Sequence, residues 1–123
     1  MPRVIHFEMY MDDPERGRKF YQDVFGWQFN KWTGPQEYWL VTTGEEGEPG
    51  INGGMMRPRL GQSPGTINTI GVPSLDQVIK KIEHQGGTIC VPKMAIPGVG
   101  WLAYAEDPTG NVFGVLEPDT NAK

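Results

Sequence analysis

The chain has 123 residues, of which 37% are hydrophobic and 21% charged, a composition typical of one globular domain spanning residues 1–123. Its formal net charge of −4 at pH 7 argues against a nucleic-acid partner, because nucleic-acid phosphates require a basic surface. No apolar run reaches the roughly 18 residues of a membrane span, so no membrane partner is expected. The single cysteine, Cys90, allows no internal disulfide, which favours a cytoplasmic location. Its apolar surroundings, TICVP, predict that Cys90 is buried.

The first predicted element is a strand with the sequence VIHFEMYM, residues 4–11. Strand alternation places its apolar side chains on one face and its polar side chains on the other. The polar face carries His6, Glu8 and Tyr10. A histidine beside a glutamate can begin a metal site, form an acid–base pair, or simply meet water.

A helix is predicted next, in the segment DPERGRKFYQDVFG. Asp13 is a favourable N-cap, Pro14 suits the first helical position, and Gly26 can end the helix. The side chains predicted to share its inward side are Gly17, Phe20, Tyr21 and Val24.

A second helix is predicted in SLDQVIKKIEHQGG, where Ser74 and Gln77 have capping-box spacing and Gly86–Gly87 end the helix. Its start and end lie 61 residues after those of the first helix, an offset of about half the chain. This spacing indicates an internal repeat.

Each predicted helix is preceded by one strand-like segment and followed by three. The three after the first helix are WQFNKW, EYWLVTT and GINGGMM, and those after the second are TICVP, GWLAYAE and NVFGVLE. The pattern predicts an α+β fold of two tandem β-α-β-β-β modules, about 1–60 and 61–123. The segment EDPTGN is a predicted hairpin turn.

Three segments resemble the vicinal-oxygen-chelate superfamily, which includes glyoxalase I, bleomycin-resistance proteins and extradiol dioxygenases. They are FYQDVFGW, VPKMAIPGVGW and DPTGNVFGVLEPD. The resemblance implies a curled eight-stranded mixed sheet around a central cavity, helices on the outside, and a homodimer. In metal-using members, the first and last strands of each module supply four ligands.

The repeat offset tests whether such a metal site is complete. His6 falls at the first-strand position, and the equivalent residue of the second module is Ile67. The last-strand positions fall on Gly53 and Gly114. Only His6 can coordinate a metal, whereas zinc or iron sites generally need three protein ligands. We therefore expect no metal cofactor there, and a divalent metal only if His6 belongs to a non-standard site.

The glycines are expected to leave open space, which would make the site a small-molecule pocket. The residues predicted to line it are His6, Glu8, Tyr10, Trp39, Met55, Met56 and Trp101. Trp101 and Tyr104 alternate to opposite faces, so at most one can line the pocket. The tryptophans can equally be packing residues.

The favoured hypothesis is a glyoxalase- or bleomycin-resistance-like protein that binds a small molecule without metal. The alternative is a lyase, isomerase or dioxygenase of the same superfamily, with His6 and Glu8 in acid–base or metal roles. A non-catalytic protein-interaction module is the third hypothesis.

Overall fold

The computed structural model describes residues 1–34, 36–59 and 62–123, which form two compact units. The first unit is residues 6–66, and the second unit combines residues 1–5 with residues 67–123. The module boundary predicted at residues 60 and 61 lies outside the described residues. That the modules form one domain stays a prediction. Within the described ranges, no helix is long and apolar enough to cross a membrane.

Within the described residues, eight strands and two helices follow the predicted order. The first five elements are β1 (Arg3–Tyr10), α1 (Pro14–Phe25), β2 (Gln28–Lys31), β3 (Trp39–Thr42) and β4 (Gly53–Met56). The second five are β5 (Gly65–Gly71), α2 (Leu75–His84), β6 (Thr88–Ile96), β7 (Gly100–Glu106) and β8 (Val112–Pro118). The α+β class and the two β-α-β-β-β modules are confirmed. β6 is longer than predicted, since it continues through KMAI.

The strands of the first unit are hydrogen-bonded in the order β2-β3-β4-β1. β1 and β4 are parallel, whereas β3 is antiparallel to both β2 and β4, so the pairing is mixed. Apolar side chains from one face of these strands form the core of the unit. That core consists of Met9, Trp39, Val41 and Met55, with Tyr21 of α1 among the residues packed against it.

Helix α1 begins and ends where its capping residues predict. The Asp13 carboxylate accepts a hydrogen bond from the Arg16 amide at 3.2 Å, and Gly26 ends the helix in the left-handed conformation, with φ of 75°. The predicted inward side is wrong for Phe20 and Val24, which are each 56% exposed. The prediction is confirmed for Tyr21, which packs against the core and stacks on the Trp27 ring, with 5.1 Å between the ring centroids.

The strands of the second unit follow the order β5-β8-β7-β6, with β5 and β8 parallel. α2 covers one face and contributes to a second apolar core. That core consists of Val72, Leu75, Ala103 and Val115, with Ile79, Ile82 and Trp101 among the residues packed against it. The predicted turn between β7 and β8 is confirmed: the Asp107 carboxylate accepts hydrogen bonds from Thr109 and Asn111, and Gly110 has a positive φ of 98°.

Cys90 is exposed, so its predicted burial is wrong. The reason is alternation along β6: Ile89 and Val91 on either side are half-buried and turn Cys90 outward.

Glu117 of β8 supports the start of α2. Its carboxylate accepts a hydrogen bond from the Leu75 amide at 2.8 Å, while the Ser74 hydroxyl accepts from the Gln77 amide at 3.4 Å. Both contacts satisfy amides that a helix N-terminus leaves without intrahelical partners. A carboxylate at this end also interacts favourably with the helix dipole.

We predict that Glu117→Ala lowers the free energy of unfolding by about 1–2 kcal/mol, because the Leu75 amide loses its acceptor. Urea denaturation measures the change. Glu83→Ala, an exposed site near the other end of α2, is the control and should change stability by less than about 0.5 kcal/mol. Equal stability of Glu117→Ala and wild-type protein would contradict the capping role.

Candidate functional site

The face of the first unit opposite its apolar core carries polar side chains that lie close together. In the parallel pairing of β1 with β4, Glu8 lies beside Gly54 and Tyr10 beside Met56. We call this surface the polar face, and it comprises His6, Glu8, Tyr10, Tyr38, Gly54 and Met56. The predicted separation of the β1 side chains is confirmed, because Phe7, Met9 and Met11 belong to the core side.

Glu8 is the most unusual member of the polar face, because a glutamate is seldom buried without a partner. It is only 5% exposed. The Tyr10 hydroxyl donates a hydrogen bond to the Glu8 carboxylate at 3.5 Å. The Glu8 carboxylate and the Tyr10 phenol therefore form a hydrogen-bonded polar pair that is buried in the protein.

His6 and Tyr38 form the second contact of the polar face. The distance between His6 Nε2 and Tyr38 Oη is 3.1 Å. Burial lowers the pKa of His6 below its ordinary value, although the charge of Glu8 partly opposes that change. Burial, followed by the charges of Glu8 and Tyr10, raises the pKa of Tyr38. The imidazole and the phenol are therefore both neutral at pH 7.

Gly54, and not Gly53, is the β4 residue that shares the face of Glu8, so the register expected from the 61-residue offset is wrong by one. Gly53 lies beside Phe7, on the core side. In the second unit Gly114 lies beside Thr69, which follows Glu8 by 61 residues, whereas Gly114 follows Gly54 by only 60. The second module thus has one residue fewer between these strands.

The space expected beside the glycines is occupied. A Cβ atom added at Gly54 would overlap the hydroxyl oxygen of Tyr38. A Cβ atom at Gly114 would lie 3.0 Å from the Thr69 hydroxyl and 3.4 Å from the Tyr104 ring. The space beside Gly54 and Gly114 is therefore filled by neighbouring side chains and is not open to a ligand.

The corresponding face of the second unit carries Thr69, Tyr104 and Gly114, which lie side by side on β5, β7 and β8. Thr69 and Tyr104 are both buried. Trp101 lies on the other face, where it packs against the core under α2. Its indole N–H donates to Asp119 at 3.1 Å, and Lys93 Nζ lies 4.8 Å from its ring centroid.

The structure brings together four of the residues predicted to line a pocket and separates the other three from them. His6, Glu8, Tyr10 and Met56 share the polar face. Trp39 and Met55 are buried in the core of the first unit, and Trp101 belongs to the second unit.

Tyr38 is the polar-face residue that sequence reasoning missed. It precedes Trp39, so strand alternation sends the two rings to opposite faces. Because Trp39 is predicted to line the pocket, Tyr38 falls on the opposite face of the strand and outside the predicted site. Trp39 and Val41 alternate to one face and are both buried in the core, so the apolar pair at positions 39 and 41 is the signal that places Tyr38 on the other face.

The residues of this site do not fit a divalent metal. In residues 1–34, 36–59 and 62–123, no three His, Cys, Asp or Glu side chains are grouped closely enough to hold one. Gly54 offers no side-chain donor, and His6 Nε2 already contacts a phenol. Phenols and a single carboxylate make this a hydrogen-bonding site.

A surface hollow of about 650 Å³ lies elsewhere, over the exposed side of α1. Two ion pairs lie in its lining: Arg18 lies 2.6 Å from Glu15 and Lys19 lies 2.5 Å from Asp23. Exposed ion pairs of this kind do not make a binding site.

Comparison with known sequences gives a family match and two curated relatives. The sequence family described as bleomycin resistance protein-like N-terminal matches residues 3–44. Proteins of Mycobacterium bovis and Mycobacterium tuberculosis, each provisionally named as the glyoxylase CFP32, are 29% identical over 121 residues. These residues are 94% of this chain but 44% of each relative, so the chain spans less than half the length of the curated relatives it matches.

Solved structures with the same fold include methylmalonyl-CoA epimerase from Mycobacterium tuberculosis. Its TM-score is 0.70 at 15% identity, covering 94% of this chain and 87% of that one. A methylmalonyl-CoA epimerase variant from Streptomyces coelicolor, in complex with 2-nitronate-propionyl-CoA, has a TM-score of 0.72 at 12% identity. The match covers 100% of this chain and 99% of that one. A hypothetical protein from Bacillus halodurans has a TM-score of 0.73 at 13% identity, and the match covers 98% of this chain and 97% of that one. These similarities establish a shared fold.

We predict that the pKa of His6 lies below the ordinary value of a histidine, because burial disfavours the imidazolium. Glu8→Gln should lower the pKa of His6 further, because the carboxylate charge that favours the imidazolium is removed. NMR titration of the His6 imidazole in wild-type and Glu8→Gln protein measures both values. A rise in the pKa of His6 in Glu8→Gln would contradict the described electrostatics.

Proposed function

We propose that this chain, which has the fold of the vicinal-oxygen-chelate superfamily, binds a small organic molecule at the polar face. The observation that carries this proposal is the cluster of buried Glu8 and Tyr10 with half-buried His6 and Tyr38. The match to a bleomycin resistance protein-like family and the CoA-ester complex of a structural neighbour support the same class of function.

The free energy of desolvation supports a ligand-binding role for this cluster. Burying the Glu8 carboxylate and the Tyr10 phenol opposes folding unless hydrogen bonds compensate. An apolar face would avoid that cost, so a polar cluster maintained at one site is typical of binding or catalysis. Convergent polar groups also fix the orientation of a small ligand in its pocket.

In this proposal the ligand is held without a metal cofactor. The hydroxyls and the carboxylate supply hydrogen bonds, and Met56 supplies an adaptable apolar contact on the same face. Elemental analysis of protein purified without chelator tests this point. Stoichiometric zinc, iron, nickel or manganese would show that His6 belongs to a non-standard metal site.

A second candidate function is catalysis of proton transfer, as in a lyase or isomerase. The specific observation in its favour is the neutral His6–Tyr38 pair beside the Glu8 carboxylate. A carboxylate can accept a proton from a substrate while a neutral phenol or imidazole donates one. Dioxygenase chemistry is less favoured, because this donor set does not fit iron.

We propose that the protein is cytoplasmic and forms a homodimer. Helix α1 leaves Phe20, Val24 and Phe25 between 56% and 61% exposed, which favours association with a second copy.

We predict that a thermal-shift screen of small metabolites identifies a ligand whose binding depends on the polar face. Glu8→Gln and His6→Ala should each weaken binding about tenfold or more, because the first replaces a charged acceptor oxygen with an amide and the second removes the imidazole. Calorimetric titration measures the change. The control is Asp23→Asn on the exposed side of α1, which should leave affinity unchanged.

Two results would contradict the binding function. One is a ligand whose affinity is the same in Glu8→Gln, His6→Ala and wild-type protein. The other is a monomer that takes up no compound in the screen, which would favour the protein-interaction hypothesis. Turnover of the ligand that is lost in both variants, with folding intact, would favour the enzyme hypothesis over binding alone.

We predict that Phe25→Glu shifts the protein from dimer to monomer, because a charge is placed in an apolar contact. Sedimentation velocity measures the mass. Val99→Glu is the matched control, since Val99 is similarly exposed at 52% but belongs to the second unit. A wild-type monomer would reject the homodimer.

A further inference from the structure

Tyr38 occupies the space in which a side chain of residue 54 would lie. An added Cβ atom at Gly54 would overlap the Tyr38 hydroxyl oxygen and would also overlap the ring carbon that carries it. The backbone of Gly54 is held by pairing with Glu8 on one side and Leu40 on the other, so it cannot move away. Gly54 and Tyr38 are therefore a matched pair, in which the absence of one side chain makes room for the other.

The same phenol contacts His6, and chemistry decides the direction of that hydrogen bond. Neutral imidazole has one acceptor nitrogen, and a phenol O–H is a good donor to it. The groups whose charges act on this pair are Glu8 and Tyr10 on β1. The Tyr10 hydroxyl donates to Glu8, which leaves Tyr38 as the hydroxyl in contact with the imidazole.

We propose that Tyr38 is a positioning residue of the polar face, because its O–H donates a hydrogen bond to Nε2 of His6. This hydrogen bond fixes His6 as the Nδ1–H tautomer. It also keeps Nε2 from coordinating a metal. The inference rests on the proposed function, because it describes the form in which His6 meets a ligand. Gly54 is needed for the same contact, because any larger residue at position 54 would displace the Tyr38 phenol from His6.

The first test is NMR of the histidine side chains, which requires no ligand. In wild-type protein, nitrogen shifts should identify His6 as the Nδ1–H tautomer. Tyr38→Phe keeps the ring and removes the donor, so the pKa of His6 should rise by about 0.5 to 1, because the neutral form loses a hydrogen bond. Tyr21→Phe, which changes a phenol outside the polar face, is the matched control and should leave His6 unchanged.

The second test is a double-mutant cycle between residues 38 and 54. Gly54→Ala should lower the melting temperature and change the His6 signals as Tyr38→Phe does, because the new methyl group displaces the phenol. In a Tyr38→Ala background the same glycine substitution should cost little, because the overlapping ring is gone. The double variant also keeps the test decisive if Gly54→Ala alone fails to fold.

Three results would overturn the role of Tyr38. They are an Nε2–H tautomer in wild-type protein, an unchanged His6 in Tyr38→Phe, and additive effects in the cycle. Stoichiometric Zn²⁺ binding at His6 of the wild-type protein would overturn the masking of Nε2.

These outcomes are separable from failure of the proposed function. The expected His6 signals without any ligand in the screen would establish the Tyr38–His6 contact and reject small-molecule binding. Ligand binding together with an unchanged pKa of His6 in Tyr38→Phe would support small-molecule binding and reject the Tyr38–His6 contact.

Discussion

The parallel pairing of β1 with β4 is the constraint on which the candidate site depends. Because paired strands share faces, this register places Glu8 beside Gly54 and sends Met9 and Met55 together into the core. A slip of one residue would exchange the two faces and bury the polar side chains among the apolar ones. The core of the first unit therefore sets the register, and the register places the polar face.

The polar face differs from a metal site in what its groups can offer. A metal site needs several donors directed at one point, whereas here a single carboxylate contacts one phenol and a single imidazole contacts another. Each phenol is already hydrogen-bonded to a neighbour. These two hydrogen bonds hold their partners in defined positions before a ligand arrives, which reduces the free energy needed to organise the site.

The two modules share an architecture but have diverged in their chemistry. Thr69 of the second module lies where Glu8 lies in the first, and each is beside a glycine of the last strand. Tyr104 approaches Gly114 from the neighbouring strand, whereas Tyr38 approaches Gly54 from the residue before β3. On the compared faces the carboxylate and the imidazole thus belong to the first module, although the repeat of strands and helices is preserved.

Local patterns in the sequence determined the elements, because they depend on neighbours in the chain. Capping residues marked both helices, alternation separated His6 from Phe7, and the repeat offset predicted two modules. The choice between Tyr38 and Trp39 required tertiary structure, since alternation says that the two rings separate but not which one is buried. The one-residue error that chose Gly53 over Gly54 had a similar cause, because strand register is set by packing across the sheet and not by spacing along the chain.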